Sequence, residues 1–116
     1  MRRIIAVIAL GAAAVGCSTV DPAPKLKAAT SAIEAAKAAG AANFAGSSDL
    51  LAQAEKYLGA AQNLIKQGNP AAAIGQLSLA SAAADDAKMK ATEQTNLAKA
   101  KELDAQIADL KAKLGK

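Results

Sequence analysis

The sequence has no histidine and no tryptophan, and its 116 residues include one cysteine, one tyrosine and one phenylalanine. Without histidine, the usual general base of enzymes and a common metal ligand are missing, and no serine or threonine has a basic partner at a readable spacing. Asp85 and Asp86 are adjacent acids, but adjacent residues on a helix point in different directions, so we expect a solvated helix face there. These shortages argue against an enzyme, a metal site and a bound cofactor.

Clustered positive charge is also scarce. Of the 14 basic residues, Arg2 and Arg3 stand in the N-terminal segment, which leaves 12 lysines against 10 acidic residues from Cys17 onward, a net charge of +2. Those charges are interspersed, and only Phe44 and Tyr57 are available to stack on bases. Because a phosphate-binding patch and a stacking platform are both missing, nucleic acid is not an expected partner.

The N-terminal segment, by contrast, carries a clear pattern. Arg2 and Arg3 precede an apolar run over residues 4–15 and small residues before Cys17, which is the order of a secretory signal. A run of about 12 residues makes a helix of about 18 Å, which is too short for a bilayer core of about 30 Å. The pair Gly16-Cys17 resembles the lipobox of bacterial lipoproteins, with Ala14 where that family usually has leucine.

The lipobox resemblance implies that Cys17 becomes the N-terminus and carries a covalent diacylglycerol and an N-acyl chain. We therefore expect residues 1–16 to be a lipoprotein signal peptide and residues 17–24 to be a lipidated, extended tether. The alternative is ordinary cleavage, which leaves an unpaired thiol in an oxidising compartment. Because aspartate after the cysteine favours inner-membrane retention in enteric lipoproteins, Ser18 implies an outer-membrane anchor and a body facing the periplasm.

Residues 25–116 form one alanine-rich domain that is expected to be all-α, since alanine has the highest helix propensity. The first helix is predicted over residues 25–39, with Gly40 as its stop. Residues 40–48 read as a loop in which Ser47 or Ser48 caps the second helix. Apolar positions recur at spacings of three and four in both helices: Leu26, Ala29, Ile33 and Ala36, then Leu51, Ala54, Leu58, Ala61 and Ile65.

The triplet Gly68-Asn69-Pro70 predicts a tight helical hairpin, because glycine ends a helix, asparagine caps the next one and proline suits its first position. After Gly75 no glycine or proline occurs until Gly115, so the third helix can run for about 45 residues, or about 67 Å. The second helix can cover only its first 20 or so residues, near 71–90. We therefore predict an antiparallel hairpin preceded by a short helix and continued by a long C-terminal helix.

The end of the third helix carries its own apolar stripe, which we call the tail seam; its members are Ala100, Leu103, Ile107, Leu110 and Leu114. Their three-four spacing is typical of a coiled coil, so we predict that the tail contacts a second copy of this chain or another envelope protein. In one alternative, the polar stretch over residues 92–96 breaks the helix and the tail folds back as a fourth helix. In another, the tail is frayed and solvated.

Two resemblances bear on function. A distributed set of residues resembles an alanine-rich family of bacterial envelope lipoproteins of unknown function, whose domain is sometimes fused to OmpA-like peptidoglycan-binding domains. The set comprises Ala35-Ala36-Lys37, Gly40-Ala41, Phe44-Ala45, Leu50, Ala54-Glu55, Leu58, Ala61, Gly68, Ala73, Ala80 and Asp86-Ala87. The chain also resembles the major envelope lipoprotein of enteric bacteria in ending on a lysine, which implies that Lys116 could be joined to peptidoglycan.

Together these features predict an outer-membrane lipoprotein that acts as a structural or protein-interaction module of the cell envelope. The first alternative is a self-associating alanine zipper that links the outer membrane to peptidoglycan. The second is a periplasmic module that binds a peptide or other ligand in its helical groove.

Overall fold

The computed structural model describes residues 20–115, and every regular element in that range is helical. The elements are helix α1 (Ala23–Ala38), a single 3-10 turn (Ala41–Asn43), helix α2 (Ala45–Lys66) and helix α3 (Pro70–Leu114). The predicted all-α architecture is confirmed, with a short helix ahead of a hairpin whose second arm is long. Residues 1–19 and Lys116 lie outside this range, so the signal peptide and the lipidation of Cys17 stay predictions.

Helix α1 begins two residues before its predicted start, so Ala23 and Pro24 belong to the helix and not to an extended tether. The backbone N–H of Leu26 donates to the carbonyl of Pro22 at 2.8 Å, which closes the first turn. The Asp21 carboxylate accepts from the N–H of Ala23 at 3.0 Å. Pro24 fits here because the first turn of a helix has no intrahelical acceptor for its missing N–H.

The connection between α1 and α2 is shorter than the loop predicted over residues 40–48, because α2 already begins at Ala45. No side chain caps it, so the predicted serine cap is wrong. Ser47 is fully buried inside the first turn, where its hydroxyl donates to the carbonyls of Ala41 at 2.7 Å and of Phe44 at 3.2 Å. The hydroxyl thus satisfies buried carbonyls of the connection instead of a free N–H of the helix.

The turn between α2 and α3 has the predicted chemistry. Gly68 has a φ of 78°, a left-handed conformation that glycine adopts without the strain that a Cβ would bring. The N–H groups of Gly68 and Asn69 donate to the carbonyls of Ile65 at 3.1 Å and Leu64 at 2.8 Å, which is the Schellman pattern. The Asn69 side chain then accepts from Ala72, and Pro70 opens α3, so the hairpin prediction is confirmed.

The core lies where α1 and α2 pack on the first half of α3. One cluster, next to the hairpin turn, contains Ala29, Ala61, Ala73, Leu77 and Ala80. The other, toward the α1–α2 connection, contains Ile33, Ala36, Ala41, Leu51, Ala54, Ala83, Ala84, Ala87 and Ala91. Because α1 contributes Ala29 to the first and Ile33 and Ala36 to the second, it runs parallel to α3 and antiparallel to α2. Alanine at most of these positions lets the helix axes approach to about 8 Å, near the lower limit for packed helices.

The second half of α3 leaves this core. The last buried position is Ala91, and every residue from Asn96 to Gly115 is exposed. The helix continues without a break through the polar stretch, where the Thr92 hydroxyl donates to the carbonyl of Lys88 at 2.9 Å within the same helix. The predicted continuous, projecting helix is therefore confirmed. The alternatives of a folded-back fourth helix and a frayed tail are wrong, because no residue in the stretch interrupts the helix.

Candidate interaction surface

The tail seam is the largest row of unburied apolar side chains on α3. Leu103, Ile107 and Leu110 are 57%, 48% and 56% exposed, and Leu114 is 85% exposed. Ala100, the smallest member, is also exposed. Since α3 is helical through Leu114, spacings of three and four place all five side chains on one side of it. The predicted interaction residues therefore share one solvent-facing surface.

This surface points away from the core-facing side of the same helix. With about 100° of rotation per residue, the tail seam lies about 150° around α3 from the stripe that runs from Ala73 to Ala91 and is buried in the bundle. A partner on the tail seam would therefore meet α3 on the side opposite α1 and α2. The bundle does not obstruct access to it.

Polar and charged residues border the tail seam on both sides. On one side stand Lys99, Gln106 and Lys113, and on the other stand Asp104 and Lys111. All are exposed, and Lys113 pairs with Asp109 one turn earlier on the same helix at 3.0 Å. An apolar centre with a polar border is the usual anatomy of a helix that contacts another helix.

Two exposed apolar residues near this surface lie outside the predicted set. Met89, 67% exposed, lies five helical turns before Ile107 and on the same side of α3. Leu97, 49% exposed, flanks the start of the seam. Extending the seven-residue period back from Leu103 would have found Met89. The polar residue Asn96 lies between Met89 and the tail seam, so the apolar row is interrupted there in the sequence.

Other residues considered in the sequence do not come together with this surface. Asp85 and Asp86 are exposed on α3 beside the bundle. Within residues 20–115, no three acidic, histidine or cysteine side chains are grouped so as to hold a metal ion. No helix in the same range has the length and apolar character needed to cross a bilayer. Cys17 and Lys116 lie outside the described residues.

Comparisons of the chain with known protein families, with curated proteins and with solved structures find no match.

Proposed function

We propose that this chain is a non-enzymatic lipoprotein of the bacterial cell envelope, anchored in the outer membrane through lipid on Cys17 and facing the periplasm. Its three-helix bundle acts as a base, and the second half of α3 is the interaction element. The observation that carries this proposal is the exposed tail seam. A small protein in water seldom keeps such a row of leucine and isoleucine side chains uncovered unless another molecule contacts it.

The direction of the helices supports the arrangement. Helix α1 begins at the end of the bundle where Gly68 and Pro70 turn the chain, and α3 leaves from that end toward the opposite one. Val20, three residues after Cys17, therefore stands at the turn end, and α3 spans about 67 Å from there to Leu114. A lipid on Cys17 would hold the turn end near the bilayer and carry the tail seam away from it.

The anchor itself is argued from chemistry. A single acyl chain binds membranes only marginally, whereas two or three chains on one cysteine anchor a small protein firmly. Lipidation also removes the one thiol of the sequence, which would otherwise stay unpaired in an oxidising compartment. The outer membrane is favoured because Ser18 stands where enteric lipoproteins that stay in the inner membrane have aspartate.

The test is to express the full chain in an enteric bacterium with labelled palmitate and to separate inner from outer membranes. The unaltered chain should carry label and fractionate with the outer membrane, and Cys17→Ala should lose both the label and the membrane. Ser18→Asp is the matched sorting variant and should keep the label but move to the inner membrane. A labelled Cys17→Ala protein, or an unlabelled parent, would overturn the anchor.

A further inference from the structure

We propose that the occupant of the tail seam is a second copy of this chain, bound parallel and in register over residues 99–114. The proposal deepens the proposed function, on which it rests for the role of the tail as an interaction element. It names the partner and its orientation. Its test gives a result for the tail that is separate from the result for the lipid anchor.

The spacing and residue types of the seam match the contact surface of a parallel two-stranded coiled coil. In heptad notation, Ala100, Ile107 and Leu114 occupy a positions, and Leu103 and Leu110 occupy d positions. A β-branched residue at the central a position combined with leucine at both d positions favours two strands. Because both helices present the same surface, an in-register pair aligns all five seam residues with their own counterparts.

The bordering charges distinguish the orientations. In a parallel pair, a g residue faces the e residue five positions later on the other helix. Lys99 therefore faces Asp104 of the second copy, and symmetry forms this attractive contact twice. Gln106 faces Lys111 of the second copy, and these two side chains do not repel each other because glutamine is uncharged.

Antiparallel pairing is less favourable, because it sets g against g and e against e. The register that pairs Ala100 with Leu110 sets Leu114 against Asn96. It also places Asp104 opposite Asp104 and Lys99 opposite Lys113, which are all repulsive contacts. Sliding one helix by a heptad replaces them with attractive Asp104–Lys111 contacts. That register leaves Ala100 outside the overlap, so it buries four seam residues per chain instead of five.

The position of the bundle permits the parallel pair and also limits it to the tail. Since the seam is about 150° from the core stripe of α3, the two bundles would lie on the outer sides of the paired helices. Alongside the bundle, however, the a positions are held by Asp86 and Glu93, both exposed. In a parallel pair each acid would face its own counterpart, so contact should stop near Asn96.

The short seam also predicts where pairing occurs. Five seam positions span less than three heptads, whereas sustained coiled coils use three or four. Two copies should therefore pair best where they are concentrated and aligned, as two chains anchored in one membrane are. The experiment accordingly uses the full chain in cells.

The test is thiol cross-linking with a short bismaleimide in an enteric host, read as dimer on a denaturing gel. Leu103→Cys and Leu110→Cys place a thiol in the seam, and Ala105→Cys, on the opposite side of the tail, is the matched control. Seam variants should give several times more dimer than the control at equal protein level. The parent, whose Cys17 is lipidated, is expected to give none. A parent dimer would refute lipidation of Cys17, and the same comparison of seam variants with the control, made in a Cys17→Ala background, would then decide the second copy by the same criterion.

Orientation is read from mixed pairs and from charge reversal. In the parallel pair the two Leu103→Cys thiols are adjacent, whereas in the shifted antiparallel pair they are about 16 Å apart and Leu103→Cys meets Leu114→Cys instead. Asp104→Lys should lower cross-linking through Leu110→Cys about fivefold, and adding Lys99→Asp should restore it. Restoration by Lys111→Asp instead would overturn the parallel orientation, and seam dimer no higher than the control would overturn the second copy as partner.

Discussion

Leu77 is the residue on which the stability of the bundle should depend most. Among residues 20–115 it is the largest fully buried apolar side chain, and it lies in the cluster next to the hairpin turn. The other buried members of that cluster are alanines from all three helices, which cannot extend to fill a space left beside them. Longer side chains such as Leu26, Leu58 and Leu64 pack around the cluster but are only partly buried. We therefore expect Leu77→Ala to create a cavity that these neighbours close only in part.

The magnitude follows from two contributions. The substitution removes three carbon atoms, which at about 0.8 kcal/mol each corresponds to about 2.4 kcal/mol of lost burial. The remaining cavity adds to this, so the free energy of unfolding should fall by about 3 to 4 kcal/mol, in the middle of the range of about 2 to 5 kcal/mol for leucine-to-alanine changes in cores. A small domain has about 5 to 15 kcal/mol in total, so the variant would be close to unfolding.

The assay is urea unfolding of a dilute sample followed by the fluorescence of Tyr57. Tyr57 is the one tyrosine, and the sequence has no tryptophan, so the fluorescence comes from this residue. Because the Tyr57 side chain packs against both core clusters, the signal reports the bundle and not the tail. The matched control is Leu103→Ala, which truncates a tail leucine that is 57% exposed and should change stability by no more than about 0.5 kcal/mol. A loss below about 1 kcal/mol for Leu77→Ala, or equal losses for both variants, would refute this account of the core.

Two further substitutions test the connections with the same assay. Ser47→Ala should lower the free energy of unfolding by about 1 to 2 kcal/mol, because the buried carbonyl of Ala41 loses its donor. The control Ser48→Ala should change the free energy of unfolding little. Equal effects of the two substitutions would contradict the assigned hydrogen bond. Gly68→Ala should lower the free energy of unfolding by about 1 kcal/mol, because alanine is strained in the left-handed backbone conformation of Gly68. Gly59→Ala should raise the free energy of unfolding by a similar amount, because Gly59 lies inside α2 with open space around it and alanine has the higher helix propensity. The same sign for both glycines would contradict this explanation.

Local chemistry made several elements predictable. The turn at Gly68-Asn69-Pro70 could be read because each residue acts on backbone groups only a few positions away. The length of α3 could be read for a similar reason, since no residue after Gly75 interrupts a helix before Gly115. The tail seam followed from period alone, because spacing on a continuous helix determines which side chains share a surface.

The connection before α2 could not be read in this way. A serine near a helix start favours a cap, yet the Ser47 hydroxyl turns inward to the carbonyl of Ala41, six residues earlier. That contact exists only after the 3-10 turn brings Ala41 against the first turn of α2. Tertiary packing therefore overrode a local preference that is worth only about 1 kcal/mol.

By itself, the sequence determined that the body forms three helices, where the hairpin turns, and which residues form the stripe on each helix, because propensity and period act along one chain segment at a time. The end of burial at Ala91 also agrees with the cover over residues 71–90 that the helix lengths predict. Only the tertiary structure decided that α1 lies parallel to α3 and that the tail seam faces away from the bundle. The alanine-rich stripes of the three helices are so similar that propensity and period do not determine which two stripes pack against each other. That choice depends on how all three helices fit together at once.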